Sequence, residues 1–131
     1  MNLYTIVSGS KSDWVKDHIK LFVVYDNIAR LEFLGREFVN CQGDQMEAYL
    51  FNQKEGSSYV TDDSLTLRAL EEKGADLAEG GAVLSAAKAL AAEYGLELSE
   101  DLDLVTDCSE EDFAERVQAL AECMKKINEL V

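Results

Sequence analysis

Proline is missing from this chain altogether, histidine occurs once, as His18, and the three cysteines form no CxxC pair. With no proline, no Gly/Ser-rich stretch and no low-complexity run, nothing in the composition marks a hinge between independently folding parts. Cys41, Cys108 and Cys123 are an odd number with wide spacing, which suits reduced thiols rather than a disulfide framework. His18 lies far in sequence from all three, so the paired short-spaced ligands of a zinc site are lacking and no metal or cofactor is expected. No apolar run approaches the roughly 18 residues of a membrane span, and the first residues show no basic segment ahead of an apolar core. The expected location is the cytoplasm.

Basic residues are also scarce: 12 Lys/Arg stand against 26 Asp/Glu, a formal net charge of -14. The imbalance is local. Residues 1–40 carry five of each sign, whereas between Thr61 and Asp112 only Arg68, Lys73 and Lys88 face fifteen acids, a net of -12. Affinity for nucleic acid rests on clustered Lys and Arg neutralising phosphates, so direct binding to DNA or to an anionic membrane is not expected.

What is present fits one domain: 131 residues at 47% hydrophobic content suffice for a single sizeable core. The apolar run at residues 3–7 reads as a brief strand or an ordered arm. Ile19 to Tyr25 is dense in β-branched and aromatic residues, and Asp26-Asn27 is suited to a hairpin turn into Ile28. A single amphipathic helix from Ser12 to about Ala29 is the rival; a short helix over 13–17 followed by strands is preferred. Further strands are expected over 36–41, over 45–51 and at Tyr59-Val60, joined by turns at Gly43-Asp44 and over 54–57. Met46, Ala48 and Leu50 alternate with Gln45, Glu47 and Tyr49, the pattern of a sheet with one buried face. Leu96, Leu98, Leu102 and Leu104 alternate with acids around Ser99-Glu100-Asp101, which predicts a small hairpin with a negative outer face. Helices are expected over 65–73, 82–94 and 109–130. The last has Ser109 and Asp112 as a capping pair and Phe113, Val117, Leu120, Met124 and Ile127 as its buried stripe. The expected fold class is α+β: an antiparallel sheet, a meander plus a small hairpin, packed by about three helices in a single domain.

The most informative segment is VTDDSLTLRALEEKGADL at residues 60–77, where a strand end, a helix start and a helix stop are written together. Asp62, Asp63 and Ser64 suit an N-cap, Leu65, Leu67 and Leu70 give the helix its apolar side, and Gly74 fits the left-handed position after it. With the helix around Leu84 to Tyr94, the Gly95-Leu96-Glu97-Leu98 step and the segment from Val105 to Leu130, this resembles a bacterial and phage family known as domain of unknown function 1828. The likeness runs from about Phe38 to the C-terminus, leaving 1–35 as an N-terminal extension to a core at 36–131. Ser64 stands where that family usually has glycine. The resemblance implies a fold and a prophage or mobile-element setting, and carries no catalytic residues.

Three functions fit these residues. One is an accessory factor without catalysis that binds a protein through its acidic side, with Asp62, Asp63, Glu97, Asp101 and Asp103 as interaction residues. Another is a nucleic-acid mimic that fills the basic groove of a DNA-binding protein. The last is a metal-dependent hydrolase using Asp62 and Asp63, a pair that capping also explains. The first is preferred, its partner an unidentified protein. His18 lacks any nucleophile-elbow context, Gly80-Gly81 lacks the lysine of a phosphate loop, and neither Cys108 nor Cys123 sits in a setting that favours thiolate.

Overall fold

The computed structural model describes residues 12–53 and 58–131; the apolar run at 3–7 and the loop at 54–57 fall outside them. Ser12 opens α1 (Asp13–His18) by accepting the Val15 N–H on its Oγ at 3.3 Å. The β-branched and aromatic run then takes over as β1 (Ile19–Tyr25), turns at Asp26-Asn27, and returns as β2 (Ile28–Phe33), with Tyr25 opposite Ile28. The long amphipathic helix does not form. Its Ile19, Phe22 and Val23 lie in a hairpin instead, as β-branched and aromatic side chains favour on a pleated surface.

The strand expected over 36–41 is replaced by a single turn of 3₁₀ helix, Arg36–Phe38, followed by one isolated bridge between Val39 and Gln45. Two features explain the difference, one local and one tertiary. Gly35 adopts φ 116°, which takes the chain out of the sheet, and Phe38 is driven into an aromatic nest with Trp14, His18 and Phe33 at centroid distances of 6.0, 5.8 and 5.8 Å. The Gln45 carboxamide then supplies the donors a neighbouring strand would have given, to the carbonyls of Phe33, Gly35 (3.1 Å) and Phe38 (3.2 Å).

β3 (Glu47–Phe51) and β4 (Ser58–Thr61) continue the antiparallel meander. α2 (Leu65–Glu72) and α3 (Ala82–Glu93) follow, then β5 (Glu97–Leu98) and β6 (Leu104–Cys108), the small hairpin. β6 pairs with β4, so the hairpin belongs to the main sheet, in the order β1-β2-β3-β4-β6-β5. The chain closes with α4 (Phe113–Asn128).

Ser109 and Asp112 form the reciprocal bonds of a capping box, Ser109 N–H to Asp112 Oδ1 at 2.6 Å and Asp112 N–H to Ser109 Oγ at 3.2 Å. The regular helix nevertheless starts at Phe113, later than the capping pair suggested, because 110–112 form a turn. Its five-residue stripe of Phe113, Val117, Leu120, Met124 and Ile127 is buried throughout. Each such side chain contributes about 1.5–3 kcal/mol by leaving water.

Strand alternation divides the sheet into two unlike faces. Ala29, Leu31, Phe33, Ala48, Leu50, Val60, Leu104 and Cys108 are buried in the same core as the α4 stripe. On the other parity lie Phe22, Ile28, Arg30, Tyr49, Phe51, Tyr59, Val105 and Asp107, none of which belongs to that core. The result is an α+β fold of helices on one face of a six-stranded antiparallel sheet, with no described helix on the other.

Candidate binding face

The strand-to-helix junction at Asp62 is where the sequence concentrates its acids, and the structure separates them. Asp62 is 0% exposed. Its Oδ1 accepts the N–H groups of Ser64 (3.1 Å) and Leu104 (2.9 Å), and its Oδ2 accepts that of Thr66 (3.1 Å). One carboxylate therefore caps α2 and clamps the start of β6 at once. Burial pushes the Asp62 carboxyl up from its ordinary range, while Thr66 and the three amides pull it down. Thr66 Oγ1 is itself buried and, among the described residues, has no partner in hydrogen-bonding geometry, so its pull on Asp62 is one of proximity rather than a well-formed bond.

Asp63 is exposed and held by its N–H to Thr61 Oγ1 at 3.2 Å. It stands near Asp101 and Asp103: burial raises the Asp103 carboxyl first, and the charges of Asp63 and Asp101 raise it further, against the Ser99 hydrogen bond and Arg68. Glu97 lies elsewhere, opposite Val105 in the β5–β6 pair, on a shallow pocket of about 430 Å³ shared with Asp107, Asp112, Glu115 and Arg116. Of the five predicted interaction residues, the structure brings Asp63, Asp101 and Asp103 together, places Glu97 apart and withdraws Asp62 from the surface. Among the described residues, no group of three His, Cys, Asp or Glu side chains is arranged to hold a metal ion.

His18, Cys108, Cys123 and Arg116 are occupied structurally. His18 stacks on Trp14 at 4.9 Å, its Nδ1 is 2.9 Å from the Trp14 carbonyl, and its Nε2 faces Glu37 at 3.7 Å. Burial pushes the thiols of Cys108 and Cys123 up to about 12, with carboxylates adding to it: Asp112 and Asp107 for Cys108, Asp62 and Glu93 for Cys123. Arg116 is spent on Thr106 Oγ1 and the Gly95 carbonyl.

The helix-free face has a different character, and sequence reasoning overlooked it. One cross-strand row runs Phe22, Arg30, Tyr49, Thr61, Val105, Glu97, and the next runs Ile28, Phe51, Tyr59, Asp107. Phe51 and Tyr59 stack at 4.9 Å with an interplanar angle of 5°. The Arg30 guanidinium lies 4.3 Å over the Phe22 ring. Its Nη1 reaches Glu47 Oε2 at 3.0 Å and Glu32 Oε2 at 3.4 Å, and the Tyr49 hydroxyl donates to Glu47 Oε1 at 3.2 Å. Burial, then Glu47, raises the Tyr49 pKa and keeps that hydroxyl protonated. The face is thus a half-buried aromatic centre with Glu32, Glu47, Glu97 and Asp107 among its carboxylates. The signal for it was legible in principle: Tyr49, Phe51 and Tyr59 sit at the parity opposite the buried Leu50 and Val60, where a wholly solvated sheet face would carry polar residues.

Comparison with curated proteins and with solved structures returns no match. A family model does match, over residues 37–127, and those residues run from within the 3₁₀ turn through β3 to β6 and nearly all of α4. The chain belongs to the family described as Domain of unknown function DUF1828.

Proposed function

We propose that this protein is a non-catalytic, protein-binding accessory factor, of prophage, mobile-element or defence context, that receives a basic segment of its partner on the helix-free face of its sheet. The observation that carries this reading is the pairing of the Phe51–Tyr59 stack with carboxylates on one face. Aromatic side chains offer a rigid, large contact at low entropic cost, and their ring faces attract Lys or Arg once water is displaced. The surrounding acids, within a chain of net charge -14, steer a cationic partner and repel nucleic acid.

A photo-reactive residue at position 59, with one at position 71 on α2 for comparison, reads this face directly in extract from the source organism. The reading expects a cross-linked protein from position 59 alone. Equal products from both positions, or none from 59, would remove it.

A further inference from the structure

We propose that a second copy of this chain docks against β1 and extends the sheet, edge to edge, across a twofold axis. β1 is the first strand in the sheet order, and among the described residues only β2 pairs with it. Its second half is apolar and uncovered: Val23, Val24 and Tyr25 are 43%, 48% and 67% exposed. Of the devices that ordinarily blunt an edge strand, this half lacks charge and proline. Here Lys20 is the strand's single charged residue, and it stands in the first half, leaving the segment from Phe22 to Tyr25 without one. The register shifts between Val23 and Tyr25, so Val24 has no partner on β2, and its exposed side chain is free to meet another surface.

Charge selects the occupant. Two chains of net charge -14 repel, and the contact that survives is the one farthest from the acids. The hairpin of β1 and β2 is neutral from residue 19 to 33, with Lys20 and Arg30 against Asp26 and Glu32. The acidic edge, with Glu97, Glu100, Asp101 and Asp103, lies at β5 on the opposite side of the sheet. Five strand-to-strand steps separate the two edges, about 24 Å at the usual spacing. That is roughly three screening lengths at physiological salt. A highly cationic partner finds no complement at β1, whereas a second neutral edge does. A twofold beside Val23 brings the uncharged segment from Phe22 to Val24 of one copy against the same segment of the other, so apolar residues meet apolar residues and each copy gives and receives the same contact. This inference is independent of the partner proposed for the sheet face.

Sedimentation equilibrium of the wild-type chain, Val24→Lys and Glu100→Lys, over a wide concentration range, tests it. The wild type and Glu100→Lys are expected to reach twice the mass of one chain, and Val24→Lys to remain at one with an unchanged far-UV spectrum. A wild type that stays monomeric throughout, or a dimer that Val24→Lys leaves intact, overturns the proposal. Hydrogen exchange of the wild type guards against a variant that loses its fold. Amides of residues 19–25 must slow as concentration rises through the transition, and an unchanged rate there with slowing elsewhere also overturns it.

Discussion

Asp62→Ala should be among the most damaging single substitutions in this protein. The Asp62 carboxylate accepts three amide N–H groups, those of Ser64, Leu104 and Thr66, in a position with no exposed surface. Alanine leaves all three unmet, and orphaned buried donors cost about 1–3 kcal/mol each. Release of a desolvated charge offsets part of that, so the expected loss is about 3–6 kcal/mol, a large share of the 5–15 kcal/mol typical of a domain. Asp62→Asn keeps Oδ1 for Ser64 and Leu104 but sets an NH₂ against the Thr66 N–H, and should lose only about 1–3 kcal/mol. The pH dependence separates the terms. Burial raises the folded pKa of Asp62 above its ordinary value of 3.8. The stability this group contributes is then fully present below the unfolded value and is lost as pH rises through the folded one. The advantage of wild type over Asp62→Asn should therefore shrink as pH rises from the acid side. Urea unfolding followed by far-UV circular dichroism at several pH values measures both quantities. A loss under about 1 kcal/mol for Asp62→Ala would refute the clamp, and an advantage over Asp62→Asn that grows with pH would show that the amide bonds outweigh burial.

Two other substitutable features have defined outcomes. Ser64 sits at φ 60°, a left-handed conformation that side chains disfavour, so Ser64→Gly should raise stability by about 0.5–1 kcal/mol, and a lower midpoint in urea would mean that the Ser64 side chain does unrecognised structural work. With Cys108 and Cys123 buried and their thiols raised to about 12, a disulfide reagent at pH 8 should titrate Cys41 alone in the native protein and the other two only after unfolding; three thiols reacting at one native rate would contradict the burial.

Much of this architecture was legible in the chain, and the reasons differ by element. The α4 stripe and the alternation of Met46, Ala48 and Leu50 are period signals strong enough to stand alone, and both are buried as read. The helix start after Thr61 was readable because short polar side chains have few other local roles, although which acid caps the helix was not. Asp62 and Asp63 differ in φ and burial, which depend on β6 arriving 42 residues later to place Leu104 N–H against Asp62. Residues 36–41 have the composition of a strand, yet the pull of Phe38 into a cluster with Trp14 and Phe33 is a tertiary effect that no local pattern records. The candidate face was hidden for a similar reason. Phe22, Tyr49, Phe51 and Tyr59 come from three strands, and only the register shows that they share one side.

Whether that face receives a partner is read by photo-cross-linking from position 59 against position 71. A discrete cross-linked protein is expected from position 59, diminishing as salt rises because charge attraction steers its approach, and none from position 71. Cross-linking confined to position 71 would place the interaction surface on the helical side, and cross-linking indifferent to position would leave the sheet face without a specific partner.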